Sequence, residues 1–159
     1  MDFRMVSLPP FRAVSSGPDP SADFSSGGVL GRFDGYMSTI RPSPRDSFLP
    51  RDFLFFDEQQ RALVWWYALV DGMDVSGYDV VEFDGGIYLT YVYRDGDDAE
   101  NGRLYRVALD HISSSPIYEA DIRPNHYPMG HVITPPQLIQ AQGYAQMETY
   151  IPIRLLQPG

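Results

Sequence analysis

The sequence predicts an α+β chain whose two halves share the element order β-α-β-β. Short segments alternate as strands do, two stretches carry apolar residues at helical spacing, and turn signals separate them. The halves, about 1–72 and about 78–155, lie within one domain over 1–159, since 159 residues is the size of one ordinary domain. The shared order favours an internal duplication. The sequence similarity between the two halves is weak, so the alternative that they are unrelated stays open.

The first half is predicted to contain one terminal strand, one helix and one hairpin. Residues 2–14 alternate loosely, as an edge or terminal strand does, and the Gly/Ser/Pro-rich segment 15–28 is typical of a loop. Apolar residues recur every three or four positions across 29–40, which predicts a short amphipathic helix. The segments 51–57 and 61–70 flank a three-residue turn and predict a β-hairpin.

The second half repeats this order with longer insertions. Strands are predicted at 80–83 and 86–93. The acidic segment 94–102 is predicted to be a solvated loop at a helix N-terminus, since acidic residues favour that end. Apolar residues at helical spacing over 104–112 predict a helix, and 117–122 predicts a further strand.

The last forty residues are predicted to hold a loop, a short helix and a strand. The segment 125–131 contains His126 and His131 and is interpreted as a hydrogen-bonded loop. Thr134 followed by two prolines predicts a helix start with Thr134 as N-cap. Residues 147–155 predict the final strand.

Several predicted strands are apolar on both faces. All side chains of 62–70, and all those of 87–93 except Thr90, are aliphatic or aromatic, so both faces of each strand are largely apolar. The predicted helices can cover only one face of a sheet. The other face must be covered by a second chain, a folded-over loop or a ligand in a cleft.

Composition excludes several classes of function. The formal net charge is −9, from 12 basic and 21 acidic residues, which argues against a nucleic-acid partner because such proteins need a basic surface. The chain has no Cys, which excludes disulfides, thiolate metal sites and cysteine nucleophiles. All its basic residues are Arg, which excludes Schiff-base and P-loop lysines.

Targeting, membrane and cofactor signals are also missing from the sequence. The N-terminus does not have the pattern of a secretory signal, and the longest apolar run, 62–70, is too short to span a bilayer. The spacing of the histidines and of the acidic loop matches no metal motif, and no nucleotide-binding glycine motif occurs. We expect a cytoplasmic protein with no cofactor, no metal and no membrane partner. The sequence does not indicate its oligomeric state.

Two features are candidates for function. The run Trp65-Trp66-Tyr67 is either core packing or a wall of rings that binds a planar or cationic small molecule. Glu148 shares a predicted strand face with Tyr150, and it is either an exposed carboxylate or a buried one. A buried carboxylate needs a partner, such as an organic cation, or serves proton transfer.

Four segments resemble the GyrI-like small-molecule-binding family, which is related to the effector-binding domains of AraC/Rob-type regulators. They are Arg51–Asp57, Leu63–Leu69, Phe83–Tyr88, and Gly130–Pro136 followed by Gly143–Ile153. The resemblance implies duplicated β-α-β-β modules related by a pseudo-twofold axis, with antiparallel sheets that form a concave ligand cleft. It implies an aromatic pocket for lipophilic, often cationic, molecules, with Glu148 at the position of the family's acidic residue.

The resemblance leaves three functions to weigh. The first is a stand-alone binding module for hydrophobic, often cationic, drugs or toxins. The second is a hydrolase that opens cyclopropane-containing genotoxic natural products, with Glu148 as general base and Tyr150 assisting. The third is a partner-binding protein. Besides Glu148, Trp65, Trp66 and Tyr67, the candidate ligand-binding residues are Phe11, Phe53, Phe55, Tyr88, Tyr91, Tyr127 and Met129.

Overall fold

A computed structural model describes residues 3–43, 46 and 50–157 of the chain. The contacts divide the chain into two compact units. The N-unit comprises Pro10–Asp84, and the C-unit comprises Met1–Pro9 together with Gly85–Gly159. The first strand, β1 (Arg4–Leu8), therefore belongs to the C-unit although it opens the chain.

The N-unit is a four-stranded antiparallel sheet with one helix. Its strand order is β3-β4-β2-β5, and each neighbouring pair is antiparallel. The elements are β2 (Phe11–Ser15), α1 (Val29–Met37), β3 (Asp52–Asp57), β4 (Ala62–Ala68) and β5 (Asp79–Phe83).

The C-unit has a corresponding sheet, with strand order β8-β9-β6-β1. A short additional strand, β7, pairs with the end of β9. The elements after β1 are β6 (Gly86–Arg94), α2 (Asp98–Ser113), β7 (Tyr118–Ala120), β8 (Met129–Val132), α3 (Pro136–Gln142) and β9 (Gln146–Leu155).

The predicted α+β class and the repeated β-α-β-β order are confirmed. The N-unit contains β2-α1-β3-β4, and the C-unit contains β6-α2-β8-β9 with β7 and α3 inserted. One further edge strand completes each sheet, β5 beside β2 and β1 beside β6. Because of these pairings, the units differ from the halves expected from sequence at about 1–72 and 78–155.

One face of the N-unit sheet is covered by α1, which packs on β4. The helix contributes Leu30 and Phe33, both fully buried, and the Phe33 ring lies 6.2 Å from the Trp65 ring. Val14 is also fully buried on this face, by strand alternation. We call the opposite face the second face of the N-unit.

One face of the C-unit sheet is covered in the same way by α2. The apolar side of this helix forms a buried core with alternate residues of β6 and β9. The members of this core are Leu89, Tyr91, Leu104, Ala108, Ile112, Ile151 and Ile153. The residues of opposite parity on β1, β6 and β9 define the second face of the C-unit.

The start of α2 agrees with the prediction that the acidic segment lies at a helix N-terminus, but it shortens the loop predicted over 94–102. The helix begins at Asp98, and the Asp97 side chain caps it by accepting a hydrogen bond from the Glu100 backbone N–H at 3.0 Å. Asp98 and Glu100 lie in the first turn, where negative charge favours the helix dipole. The acidic residues therefore specify a helix end rather than a longer loop.

Three further predictions are corrected. The predicted strand over 2–14 is two strands, because the two prolines at 9–10 donate no backbone hydrogen bonds. Part of the predicted loop 125–131 is strand β8, which contains His131. Thr134 does not cap α3; its hydroxyl accepts from the backbone N–H of Gln146 at 2.7 Å, and Pro135 is the N-cap residue.

Candidate ligand-binding site

Glu148 lies on β9, on the second face of the C-unit, and is only 3% exposed. Ile151, of opposite parity on the same strand, packs in the core under α2. Alternation therefore turns Glu148 and Tyr150 away from the helix. The prediction that these two residues share a face agrees with this register, and of the two alternatives for the carboxylate, the structure has the buried one.

Residues from three neighbouring strands meet at this carboxylate. Arg4 on β1 lies directly opposite Thr90 on β6, and Thr90 lies directly opposite Tyr150 on β9. Directly opposed residues point to the same face of a sheet. Glu148 is two positions along β9 from Tyr150, so all four side chains share the second face.

The carboxylate of Glu148 accepts four hydrogen bonds. The Thr90 hydroxyl donates to Oε2 at 2.6 Å, and the Tyr150 hydroxyl donates to Oε1 at 2.9 Å. The Arg4 guanidinium binds with two nitrogens, Nε to Oε2 at 2.9 Å and Nη2 to Oε1 at 2.5 Å. This two-point contact matches the fork of an arginine to the plane of a carboxylate.

These contacts decide the ionisation of the pair. Burial raises the pKa of Glu148, but the hydrogen bonds from Arg4, Thr90 and Tyr150 outweigh it and hold that pKa below its usual value. Burial and the adjacent carboxylate raise the pKa of Tyr150. Glu148 is therefore a carboxylate at neutral pH, and Tyr150 remains a neutral hydrogen-bond donor.

The surroundings of Glu148 include apolar and aromatic surface. The Tyr88 ring meets the Tyr150 ring edge to face at 6.2 Å, and both residues are almost completely buried. Met129, 3% exposed, lies directly opposite Tyr150 on β8. Tyr127 is half-buried in the segment before β8.

The second face of the N-unit carries a cluster of rings. Trp66 is 6% exposed and contacts Phe55 at 4.7 Å and Phe83 at 5.7 Å between ring centroids. Phe11 contacts Phe83 at 4.9 Å and stacks on Phe53 at 5.7 Å. Four of the predicted ligand-binding residues thus lie together, namely Phe11, Phe53, Phe55 and Trp66.

Three predicted ligand-binding residues lie on helix-covered faces instead. Trp65 contacts Phe33 of α1, and its indole N–H donates to Asp52 at 3.1 Å. Tyr67 has the parity of Trp65 and lies under the Arg51 guanidinium, 4.5 Å from its ring centroid. Tyr91 is a member of the α2 core. The register therefore places Trp66, and not Trp65, on the second face.

Arg4 and Thr90 are site residues that the sequence reasoning missed. Arg4 is separated from Glu148 by 144 positions, so only the strand register brings them together. One local signal was available, because Arg4 lies on the same face of a short strand as the apolar residues Val6 and Leu8. A charged residue on the otherwise apolar face of a strand indicates that a residue of opposite charge lies on a neighbouring strand.

The histidines and acidic residues were also compared with the requirements of a metal site. No group of three or more His, Asp or Glu residues within the described ranges is arranged to hold a metal ion. His126 is buried, with Nδ1 2.9 Å from the Pro124 carbonyl and Nε2 3.1 Å from the Gly85 carbonyl. Its environment is that of a structural loop residue. Across the described segments, no helix is long and apolar enough to cross a membrane.

Two surface cavities lie away from Glu148. One of about 370 Å³ in the N-unit is bordered by Tyr36 and Met73, and another of about 580 Å³ in the C-unit is bordered by Leu109 and Tyr118. Neither is lined by a predicted ligand-binding residue.

Solved structures share this architecture. No known protein family and no curated protein matches the sequence. The structure of SAV2435 bound to tetraphenylphosphonium superposes with a TM-score of 0.60 at 12% identity, covering 97% of this chain and 94% of that one. The EcmrR C-terminal domain gives 0.59 at 11% identity, covering 98% of both chains. The chain has the GyrI-like fold.

A hydrolase from Listeria innocua is also similar in structure. It superposes with a TM-score of 0.50 at 11% identity, covering 96% of this chain and 92% of that one. These similarities confirm the fold that the sequence resemblance predicted. They extend over nearly the whole of each chain, so the complete β-α-β-β arrangement is shared rather than one motif.

Proposed function

We propose that this protein binds lipophilic organic cations and that Glu148 is the counter-ion. The observation that carries the proposal is a carboxylate, 3% exposed, beside the rings of Tyr88 and Tyr150. An ionised buried carboxylate favours a positive partner, and aromatic faces attract the same partner. The SAV2435 structure with the same fold was solved with tetraphenylphosphonium, which makes that cation a suitable probe.

The hydrolase alternative ranks second. It depends on the same Glu148 and Tyr150, whose hydrogen bond is 2.9 Å long. A general base works best when its pKa lies near the operating pH. The pKa of Glu148 is held below its usual value, which suits a permanent counter-ion better than a proton acceptor.

The ring cluster of the N-unit supports small-molecule binding less directly. Its members, Phe11, Phe53, Phe55 and Trp66, are mutually packed and mostly buried. Their role as ligand-binding residues stays a prediction, as does that of Tyr127 and Met129. The proposal therefore depends on Glu148 and not on these rings.

The test is calorimetric titration with tetraphenylphosphonium, comparing the unmodified chain with Glu148→Gln. We expect Glu148→Gln to weaken binding at least tenfold, about 1.4 kcal/mol, because it removes the counter-ion and leaves Arg4 to repel the ligand. Uncharged triphenylphosphine oxide separates the effect of charge from that of ring contacts. Its affinity should be nearly the same for the unmodified chain and for Glu148→Gln.

A matched control removes the same charge elsewhere in the C-unit. Glu119 on β7 is 46% exposed at its side chain and pairs with Arg154 at 2.8 Å. Glu119→Gln changes the net charge by the same amount but leaves Glu148 and its hydrogen-bond partners Arg4, Thr90 and Tyr150 unchanged. If Glu119→Gln and Glu148→Gln weaken tetraphenylphosphonium binding equally, Glu148 is not the counter-ion and the proposal is wrong.

A further inference from the structure

We infer that Arg4 is a built-in competitor for the cation and determines how strongly the site selects charged over neutral ligands. This inference rests on the proposed function and names a residue that controls it. The Arg4 guanidinium occupies the place beside Glu148 that a bound cation would take. A positively charged ligand must exchange with it, whereas a neutral aromatic ligand need not.

The two members of the ion pair are unequally buried. The side chain of Arg4 is 61% exposed, and that of Glu148 is 4% exposed. Arg4 can rotate into solvent and stay hydrated, because arginine keeps a long flexible stem and its charge at every physiological pH. Glu148 is held from the interior by Thr90 and Tyr150. The exchanging partner is therefore Arg4.

Departure of Arg4 alone is unfavourable because it leaves a buried carboxylate without a cation. Arrival of an organic cation removes that penalty. Release of Arg4 and binding of the ligand are consequently coupled, and the ligand's net affinity is reduced by the stability of the original ion pair. Arg4 competes with the ligand because Glu148 is buried. An exposed carboxylate could bind Arg4 and the ligand cation at the same time.

The position of Arg4 in the sheet supports this exchange. It is the first residue of β1 and lies opposite Thr90, which also binds Glu148. A side chain at the start of a strand can move without breaking the ladder formed by the residues that follow. The remaining pairs of β1 with β6, from Met5↔Leu89 to Leu8↔Gly86, keep the strand in place.

The test is titration of Arg4→Gln with tetraphenylphosphonium and with triphenylphosphine oxide. We expect the affinity for tetraphenylphosphonium to rise about tenfold and the affinity for triphenylphosphine oxide to stay within about twofold. Arg154→Gln is the matched control, because Arg154 is also a half-exposed arginine of the C-unit paired with a glutamate. It loses the same charge six residues further along β9 from Glu148, outside the group of side chains that bind this carboxylate, and should behave as the unmodified chain does.

The outcomes separate this inference from the proposed function. If the unmodified chain binds tetraphenylphosphonium and Arg4→Gln binds it no more tightly than Arg154→Gln does, Arg4 is not a competitor and the proposed function stands. If neither the unmodified chain nor Arg4→Gln binds the cation, both ideas are wrong. Binding that appears only in Arg4→Gln supports the competition by Arg4 but contradicts the proposed function, since the unmodified chain then does not bind the cation.

A second measurement needs no variant and covers the case in which Arg4→Gln fails to fold. The Nε–H of Arg4 donates to Glu148 in the ligand-free chain and should exchange slowly with water. We expect its ¹⁵N resonance to move and its exchange with solvent to accelerate as tetraphenylphosphonium is added. An Nε–H that stays protected at ligand saturation would show that Arg4 keeps its place and would overturn the inference.

Discussion

The N-unit and the C-unit have the same strand order and one helix over one face, yet their second faces are chemically different. The C-unit presents an ionised carboxylate held by three hydrogen-bonding side chains. The N-unit presents a continuous cluster of rings around Trp66. One framework thus supports two kinds of interior surface, one specified by charge and the other by aromatic packing.

Register makes the comparison specific. One row of directly opposed residues can be followed across the four strands of each sheet, in corresponding order. The rows are Phe53, Trp66, Ser15 and Asp79 in the N-unit, and Met129, Tyr150, Thr90 and Arg4 in the C-unit. Both rows place a large aromatic ring beside a small hydroxyl residue. They differ at the edge strand, where the N-unit has an acid and the C-unit a base.

The decisive difference lies two residues before each aromatic ring. The C-unit has Glu148 at that position, and the N-unit has Val64, which is 5% exposed and lies opposite Phe55. Val64 needs only apolar neighbours, whereas Glu148 needs donors from two further strands. A buried carboxylate at this position is therefore specific to the C-unit, and Arg4 and Thr90 donate three of its four hydrogen bonds.

The largest effect is expected when the missing charge is placed in the N-unit. Val64→Glu would bury a carboxylate among rings, where burial raises its pKa by several units. A raised acid pKa destabilises the fold above the unfolded pKa, and the effect fades as the pH falls toward that value. We expect urea unfolding to show a loss of about 5 kcal/mol at pH 7 and a much smaller loss at pH 4.

Val64→Gln is the control for Val64→Glu, since it introduces a polar side chain of the same size that does not titrate. Its cost should be the same at pH 7 and pH 4. If Val64→Glu is as stable as Val64→Gln at pH 7, the second face of the N-unit tolerates an ionised carboxylate. The two units would then not differ in this property.

A smaller effect should separate the adjacent tryptophans. Trp66 fills the second face of the N-unit at 6% exposure, and truncating such a ring costs about 3–4 kcal/mol. Trp65 is half-buried beside α1 and contacts Phe24, which is itself exposed, so Trp65→Ala should cost about 1–2 kcal/mol. Urea unfolding of Trp66→Ala and Trp65→Ala measures both. A larger loss for Trp65→Ala would reverse the assignment of the faces.

The sequence was sufficient for the elements that have strong periodicity. The hairpin of β3 and β4, the strand β9 and the helix stripes of α1 and α2 all follow from alternation or helical spacing. β8 could not be predicted in this way, because it has four residues, contains Gly130 and follows a proline. Its strand character comes from pairing with β9, which is a tertiary effect.

The candidate site was predictable only in part, for a related reason. Glu148 and Tyr150 are two residues apart on one strand, so local alternation predicts that they share a face. Their partners lie on other strands, and nothing local reveals the register that joins Arg4, Thr90 and Tyr150 in one row. The same limit applied to Trp65 and Trp66, since a shift of one residue exchanges the two faces.

The smallest effect should distinguish two tyrosine hydroxyls on opposite faces of the C-unit sheet. Tyr150 donates to ionised Glu148 at 2.9 Å, and Tyr91 donates to the neutral Asn101 side chain at 2.6 Å. We expect Tyr150→Phe to cost about 1–2 kcal/mol at pH 7 and Tyr91→Phe about 1 kcal/mol, since a hydrogen bond to a charged group is the stronger. Urea unfolding between pH 7 and pH 3 measures both.

The pH dependence identifies which hydroxyl serves the carboxylate. The folded pKa of Glu148 is lowered, so its stabilising contacts are fully present above the unfolded pKa and are lost as the pH falls through the folded pKa. The cost of Tyr150→Phe should therefore shrink on acidification, while the cost of Tyr91→Phe stays constant. Equal behaviour of the two variants would mean that Tyr150 does not stabilise the ionised form of Glu148, and the charge-specified character of the second face of the C-unit would then rest on Arg4 and Thr90 alone.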